Sequence, residues 1–229
     1  MIYAYNTFIY QPIFNFLIWL HNVIPGHDIG IAIIVLTLVT RFLLVPLTLK
    51  QIKSQKALQD LQPKMDEIKR KYKDDKEKQS KELMKFYQEN KVNPLASCLP
   101  LLIQLPILFA LYRAFMAGLT AKGFEVLYPF VARPETINPM FLGLVDLSQK
   151  NLTLAILAGA TQFIQSKMLM PKKKTKDMAG MMSKQMTYFM PVMTVFIAMS
   201  LPAGLALYWL VTTLFAIGQQ YFIMKPKKA

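Results

Sequence analysis

Residues Ile29 to Lys50 read IGIAIIVLTLVTRFLLVPLTLK, an apolar run with one arginine, Arg41, near its middle. About 20 apolar residues are enough to span a bilayer, and a cation inside such a run is costly and as a rule functional. Two questions follow. What else in the chain belongs in a membrane, and what keeps Arg41 there?

The chain has 229 residues, of which 54% are hydrophobic, with a net charge of +14. That combination fits neither a soluble domain nor a disordered one and points to a membrane protein. Most basic residues crowd into Lys50–Lys91, Lys167–Lys184 and Lys225–Lys228, between long apolar stretches. Five such stretches are predicted as membrane helices: Ile29–Leu49, Leu95–Leu119, Leu152–Met170, Met186–Leu201 and Gly204–Met224. Pro202-Ala203-Gly204 supplies a breaker between the last two, which should therefore be antiparallel neighbours. With the lysine-rich segments in the cytoplasm, the N-terminus and Thr120–Asn151 lie outside and the C-terminus inside. Only Lys122, Arg133 and Lys150 fall in that outer segment, so charge bias and crossing parity agree.

Residues 1–28 contain no Lys or Arg and mix aromatic residues with Asn6, Asn15 and Pro12. They are expected to form an external interfacial helix rather than a sixth span, with Pro25-Gly26-His27-Asp28 as the turn into residues 29–49. No cleaved targeting segment is evident. Residues 50–92 carry Ile52, Leu58, Leu61, Met65, Ile68 and Tyr72 at roughly helical spacing, then a second amphipathic piece around Leu83–Tyr87. Asp74-Asp75 break the pattern and can cap the second piece, which predicts a cytoplasmic helical hairpin, with a possible kink point at Pro63. Residues 93–229 hold the remaining four spans, their loops and a short basic tail.

No Asp or Glu occurs in any of the five spans, so Arg41 needs water or a ligand instead of a countercharge. Arg113, near the outer end of its helix, can snorkel to the headgroups. The other polar residues fall largely in stripes: Thr37, Arg41 and Thr48; Ser97 and Gln104; Thr161, Gln162, Gln165 and Ser166; Thr187 and Thr194; Trp209, Thr212, Thr213 and Gln220. Pro46 adds an expected kink. Such residues singly are interhelical glue, but as a set around an unpaired cation they argue for a hydrophilic groove. Catalysis finds little support. There is no Ser/His/Asp arrangement, carboxylate pair or metal cluster in the spans, and no nucleotide-binding motif. The one cysteine, Cys98, reads as a packed small residue. No cofactor is expected, and the lysine runs, interspersed with acids in the hairpin, suit a headgroup- or ribosome-facing surface better than a specific nucleic-acid sequence.

Three segments carry a resemblance. TRFLLVPLTLKQIKS, KYKDDKEKQSKELMKFYQENKVNPLASCLPLLIQLPILFALYRAF and LPAGLALYWLVTTLFAIGQQYFI together resemble the YidC-type membrane protein insertases of bacteria, mitochondria and thylakoids. The resemblance implies an all-α membrane protein with five transmembrane helices around a hydrophilic groove, open to cytoplasm and lipid and closed toward the outside. It also implies an insertase and chaperone in the bacterial inner membrane. Such a protein takes nascent membrane proteins from the ribosome, alone or beside the Sec translocon, and releases their transmembrane segments into lipid. By motif position its substrate-binding residues are Arg41, Gln104, Trp209 and either Gln162 or Gln165. Thr213 stands where many relatives carry Asn, which puts an amide role there in doubt. No external domain or lipoprotein cysteine precedes the first span, so a minimal form is expected. A small-anion transporter or a lipid scramblase using the same groove is the alternative reading.

Overall fold

A computed structural model describes residues 2–93, 99–119, 123–169 and 178–224 of the chain. Ser97, Cys98, most of the basic segment after Leu169 and the basic tail lie outside the described residues. The N-terminal segment is one continuous helical rod: α1 (Ile2–Tyr5), a π-turn (Asn6–Tyr10) and α2 (Gln11–Val23). The π-turn has a local cause. Pro12 offers no N–H to the carbonyl four residues back, and just ahead of it the Gln11 N–H bonds to the Asn6 carbonyl, five residues back. A turn through Gly26, at φ 80°, leads into α3 (Ile29–Leu43). There Asp28 caps the helix, Oδ1 accepting from the N–H groups of Gly30 at 2.8 Å and Ile31 at 3.0 Å.

The first predicted span does not continue straight to Leu49. α3 ends at Leu43, and α4 (Val45–Lys71) leaves it at 66°. Pro46 sits in the first turn of α4, where a missing N–H costs nothing, so the break falls two residues before the proline. α4 runs through Pro63 and pairs with α5 (Lys76–Glu89). Asp75 caps α5 by accepting from the Lys78 N–H at 3.0 Å, and Gln79 Nε2 donates to the Lys69 and Tyr72 carbonyls at the end of α4.

Beyond these lie α6 (Leu99–Leu119), α7 (Leu152–Met168), α8 (Met178–Ser200) and α9 (Ala203–Met224). α8 and α9 are joined tightly, but each packs mainly along α7, not on the other. Gly159 permits the α7–α8 approach, since a Cβ there would lie 2.3 Å from Val195 Cγ2. α9 also packs on α3. Among the described residues no single helix is long and apolar enough to cross a membrane, although α3 and α4 taken together across their bend are. α9 spans 22 residues, yet Tyr208, Trp209, Thr212, Thr213, Gln219 and Gln220 dilute its apolar character. The residues that lower its hydropathy turn out to be those that face its neighbours.

The segment from Gly123 to Asn151 caps one end of the bundle. A two-stranded hairpin, β1 (Met140–Phe141) and β2 (Val145–Asp146), docks on the start of α3, where the Leu142 N–H donates to Asp28 Oδ2 at 2.6 Å. Gly30 leaves room for the Phe141 ring, which a Cβ would meet at 2.2 Å. The same segment is tied to the α8–α9 turn through Ala203 N–H on the Gln149 carbonyl (2.8 Å) and Gly204 N–H on that of Leu147 (3.1 Å). It is tied to α2 as well. Asn15, 2% exposed, accepts from the Tyr128 N–H at 2.5 Å and donates to the Val126 carbonyl at 3.0 Å. The apolar core lies at this capped end: Phe14, Ile18, Ile33, Leu36, Leu111, Phe115, Leu147 and Leu205 are all buried there. Paired polar groups such as Asn15 and Asp28 and a close-packed core make this end a closed plug. Arg113 serves it too. Instead of reaching outward alone, it donates to Asn6 Oδ1 at 2.7 Å and lies 4.2 Å from the centroid of the Tyr10 ring.

Candidate functional site

Toward the other end the packing changes character, from aliphatic to polar. Arg41 sits in the last turn of α3, where the unpaired carbonyls of the helix terminus favour a cation. Its Nη2 donates to Gln104 Oε1 of α6 and, at 3.4 Å, to Thr212 Oγ1 of α9. Gln104 Nε2 in turn donates to Tyr208 Oη at 2.6 Å. Arg41 is half-buried. Its hydrogen-bond partners among the described residues are neutral, whereas the ion pairs found among them all lie in the α4–α5 hairpin. Two turns further along α9, Thr48 of α4 and Gln219 of α9 meet at 3.2 Å. Three helices and the hairpin stem thus contribute polar groups to one continuous strip.

The predicted single stripe on α9 divides in two. Tyr208, Thr212 and Gln219 face α6, α3 and α4, at helical offsets of four and seven residues. Trp209 and Thr213, one residue further on and so about 100° around the helix, face α7. Trp209 Nε1 donates to Gln162 Oε1 at 3.3 Å, which separates Gln162 from Gln165: the latter is half-buried on α7 and does not meet Trp209 in this way. Thr213 is buried. Its hydroxyl lies 2.8 Å from that of Thr161 and also reaches the carbonyls of its own helix. That arrangement holds α7 to α9.

Other stripe members move as well. Thr37 is fully buried, its hydroxyl bonded to the Ile33 carbonyl at 2.6 Å, so it belongs to the core and not to the strip around Arg41. Thr194 is buried too. Gln220 is buried with its side-chain oxygen unpartnered, while Gln219, which the sequence reading passed over, takes the place beside Thr48. Tyr208 was also missed. The signal for both was available, since positions 208, 212 and 219 share a face with the partner that Arg41 needs.

Apolar side chains are exposed on several of the helices. Phe42, Leu43 and Leu47 beside the α3–α4 bend are exposed, as are Tyr188, Phe189, Val192 and Phe196 on α8 and Phe109 on α6. Soluble proteins rarely expose so many large apolar side chains.

Known proteins match the chain almost throughout. The family model described as 60Kd inner membrane protein matches residues 19–229. The membrane protein insertase YidC of Fusobacterium nucleatum is 40% identical over 221 residues, covering 96% of this chain and 98% of that protein. That of Pelobacter propionicus is 37% identical over 96% of this chain but 39% of its own length. A solved chain titled as an active YidC insertase with its first transmembrane domain resolved is similar with a TM-score of 0.63 at 27% identity, over 95% of this chain and 46% of that one. The chain therefore spans nearly all of the first relative and less than half of the longer ones. Family model, sequence and fold agree from α2 through α9, and the chain belongs to the 60Kd inner membrane protein family, that of the YidC insertases.

Proposed function

We propose that this chain is a membrane protein insertase and chaperone of the bacterial inner membrane, with its capped end outside and its hairpin and C-terminus in the cytoplasm. The relatives' name, insertase, supports the activity. The observation that carries the mechanism is Arg41, an intramembrane cation held only by neutral hydrogen-bond acceptors among the described residues. A half-satisfied cation of this kind keeps water around it and attracts a carboxylate. In this reading the strip of Arg41, Gln104, Thr212, Thr48 and Gln219 lines a hydrated groove in the inner leaflet. A substrate's polar tail enters there, and its acidic residues meet Arg41. The tail then has only the remaining apolar thickness to cross, while its hydrophobic segment partitions into lipid beside the exposed face of α8. Partition drives release, and no nucleotide is consumed. Residues 2–23 lie at the outer interface, and the α4–α5 hairpin meets the ribosome, the Sec translocon or anionic lipid with its mixed charge.

A transporter would need a polar path through both halves. The buried aliphatic and aromatic core of the capped end supports insertion over conduction. The test is genetic. In cells depleted of their own insertase, this chain should restore insertion of a small reporter with an acidic N-terminal tail. Failure to restore it, with the protein present in the membrane, together with uptake of a labelled anion or flipping of a labelled lipid by vesicles holding the purified protein, would replace this reading.

A further inference from the structure

One buried polar group beside the groove plays no part in that mechanism, the phenol of Tyr208. Tyr208 is 2% exposed, and its ring belongs to the apolar core that closes the capped end. Its oxygen faces the other way and accepts the 2.6 Å hydrogen bond from Gln104 Nε2. The far end of the same amide accepts from Arg41. Chemistry sets the direction of this chain. A guanidinium has donors and no acceptor, so Gln104 has to turn its oxygen to Arg41 and thus its NH2 to Tyr208. Only an acceptor at position 208 can hold the amide in that orientation.

We propose that Tyr208 is a positioning residue for acidic substrates, acting on Arg41 through Gln104. The proposal rests on the reading of Arg41 as the group that meets substrate carboxylates. With Tyr208 in place the amide oxygen points at the guanidinium and keeps it extended across the groove from α3 toward α6. An incoming carboxylate, a stronger acceptor than an amide, then replaces Gln104 on an arginine already in position. Without the phenol oxygen the amide NH2 loses its anchor, and Gln104 is free to swing away from the guanidinium. The long side chain of Arg41 is then free to snorkel toward phosphates at the membrane surface, and each substrate has to order it anew. A neutral tail makes no use of Arg41 and does not sense the difference. The device therefore sets the selectivity for acidic tails, not the overall rate.

Tyr208→Phe keeps the ring in the core and removes only the oxygen. In the depletion strain, insertion of a reporter with an acidic tail should fall about fivefold, the scale of one neutral hydrogen bond, while a matched neutral-tail reporter stays within about twofold. Tyr208→Phe added to Gln104→Leu should change the acidic-to-neutral ratio no further, because the chain is already cut. In purified protein in nanodiscs, phenylglyoxal should modify Arg41, mapped by mass spectrometry, several-fold faster in Tyr208→Phe than in wild type. Equal loss for both reporters, an unchanged ratio, or unchanged Arg41 reactivity overturns the proposal. If Arg41→Ala still lowers the ratio in the same assay, only the role of Tyr208 falls. An Arg41→Ala ratio equal to wild type removes the reading of Arg41 and this proposal with it.

Discussion

At the scale of single residues the chain is governed by what Arg41 and a few small residues permit. Removing the charge with Arg41→Ala should lower insertion of an acidic-tail reporter by about tenfold, the order of a Coulomb attraction at about 4 Å in a hydrated groove. Arg41→Glu should be worse, and Arg41→Lys should keep a good part of the activity, because charge matters more than the fork. Membrane insertion assays on the three variants read this directly, and equal loss in the Lys and Glu variants would sink the electrostatic account. Gly159 is a different kind of determinant. A methyl there would meet Val195 Cγ2 at 2.3 Å and the Pro191 carbonyl oxygen at 3.1 Å, a backbone atom that cannot swing away. Gly159→Ala is expected to cost about 1–3 kcal/mol by overpacking, read as a lower Tm of the purified protein, without changing the preference for acidic tails.

Among the elements, the elbow between α2 and α3 carries a pH dependence. His21 is 3% exposed, its Nε2 has no partner, and its ring lies 5.6 Å from that of His27. Burial pushes its pKa below the ordinary histidine range, and the hydrogen bond to Asn22 opposes this in part. The folded state therefore prefers neutral His21, and the unfolded chain takes up the proton first. Stability is complete above the unfolded value of about 6.5, falls as pH drops below it, and levels off below the folded pKa. Thermal unfolding in nanodiscs should show Tm declining from pH 7.5 to pH 5 in the wild type and declining less in His21→Gln. Parallel curves for the two would remove His21 as the cause. The hairpin shows the opposite balance. α5 buries none of its side chains, so its order comes from the Asp75 cap, the Gln79 bridge to α4 and exposed pairs such as Lys81 with Glu77 at 2.6 Å. Exposed pairs of this kind contribute little.

Across the whole molecule, a sealed end and a polar end divide the work. Under the proposed function the seal keeps the groove from becoming a pore, and the exposed face of α8 offers apolar segments a path to lipid. Methionine suits that face because it adapts to side chains of varied shape. The chain has 15 of them, among them Met193, which is 36% exposed, and Met190, half-buried beside it. A photo-crosslinking probe at either position should capture an arrested nascent membrane segment. A probe at Phe130, 77% exposed in the capping segment, should not. Equal capture at all three positions would count against α8 as the docking face.

The sequence alone determined the class of the molecule. Runs of apolar residues, the crowding of most lysines into three segments and the absence of acids from the predicted spans are properties of composition and spacing, which need no third dimension. The Asp75 cap was legible for the same reason, since capping is local. Tertiary structure alone decided where α3 bends and which polar residues share a face. Thr37 and Arg41 stand one helical turn apart, yet one is sealed in the core and the other meets Gln104, because α3 packs against α2 and α9 as far as Thr37 and only its end reaches the polar strip. Trp209 and Tyr208 are neighbours in sequence and serve different helices. A helical stripe read from sequence is good to about one residue, and one residue is about 100° of rotation. Which of two adjacent side chains meets the arginine is therefore set by the packing of α9 between α3 and α7, a fact that belongs to no single segment.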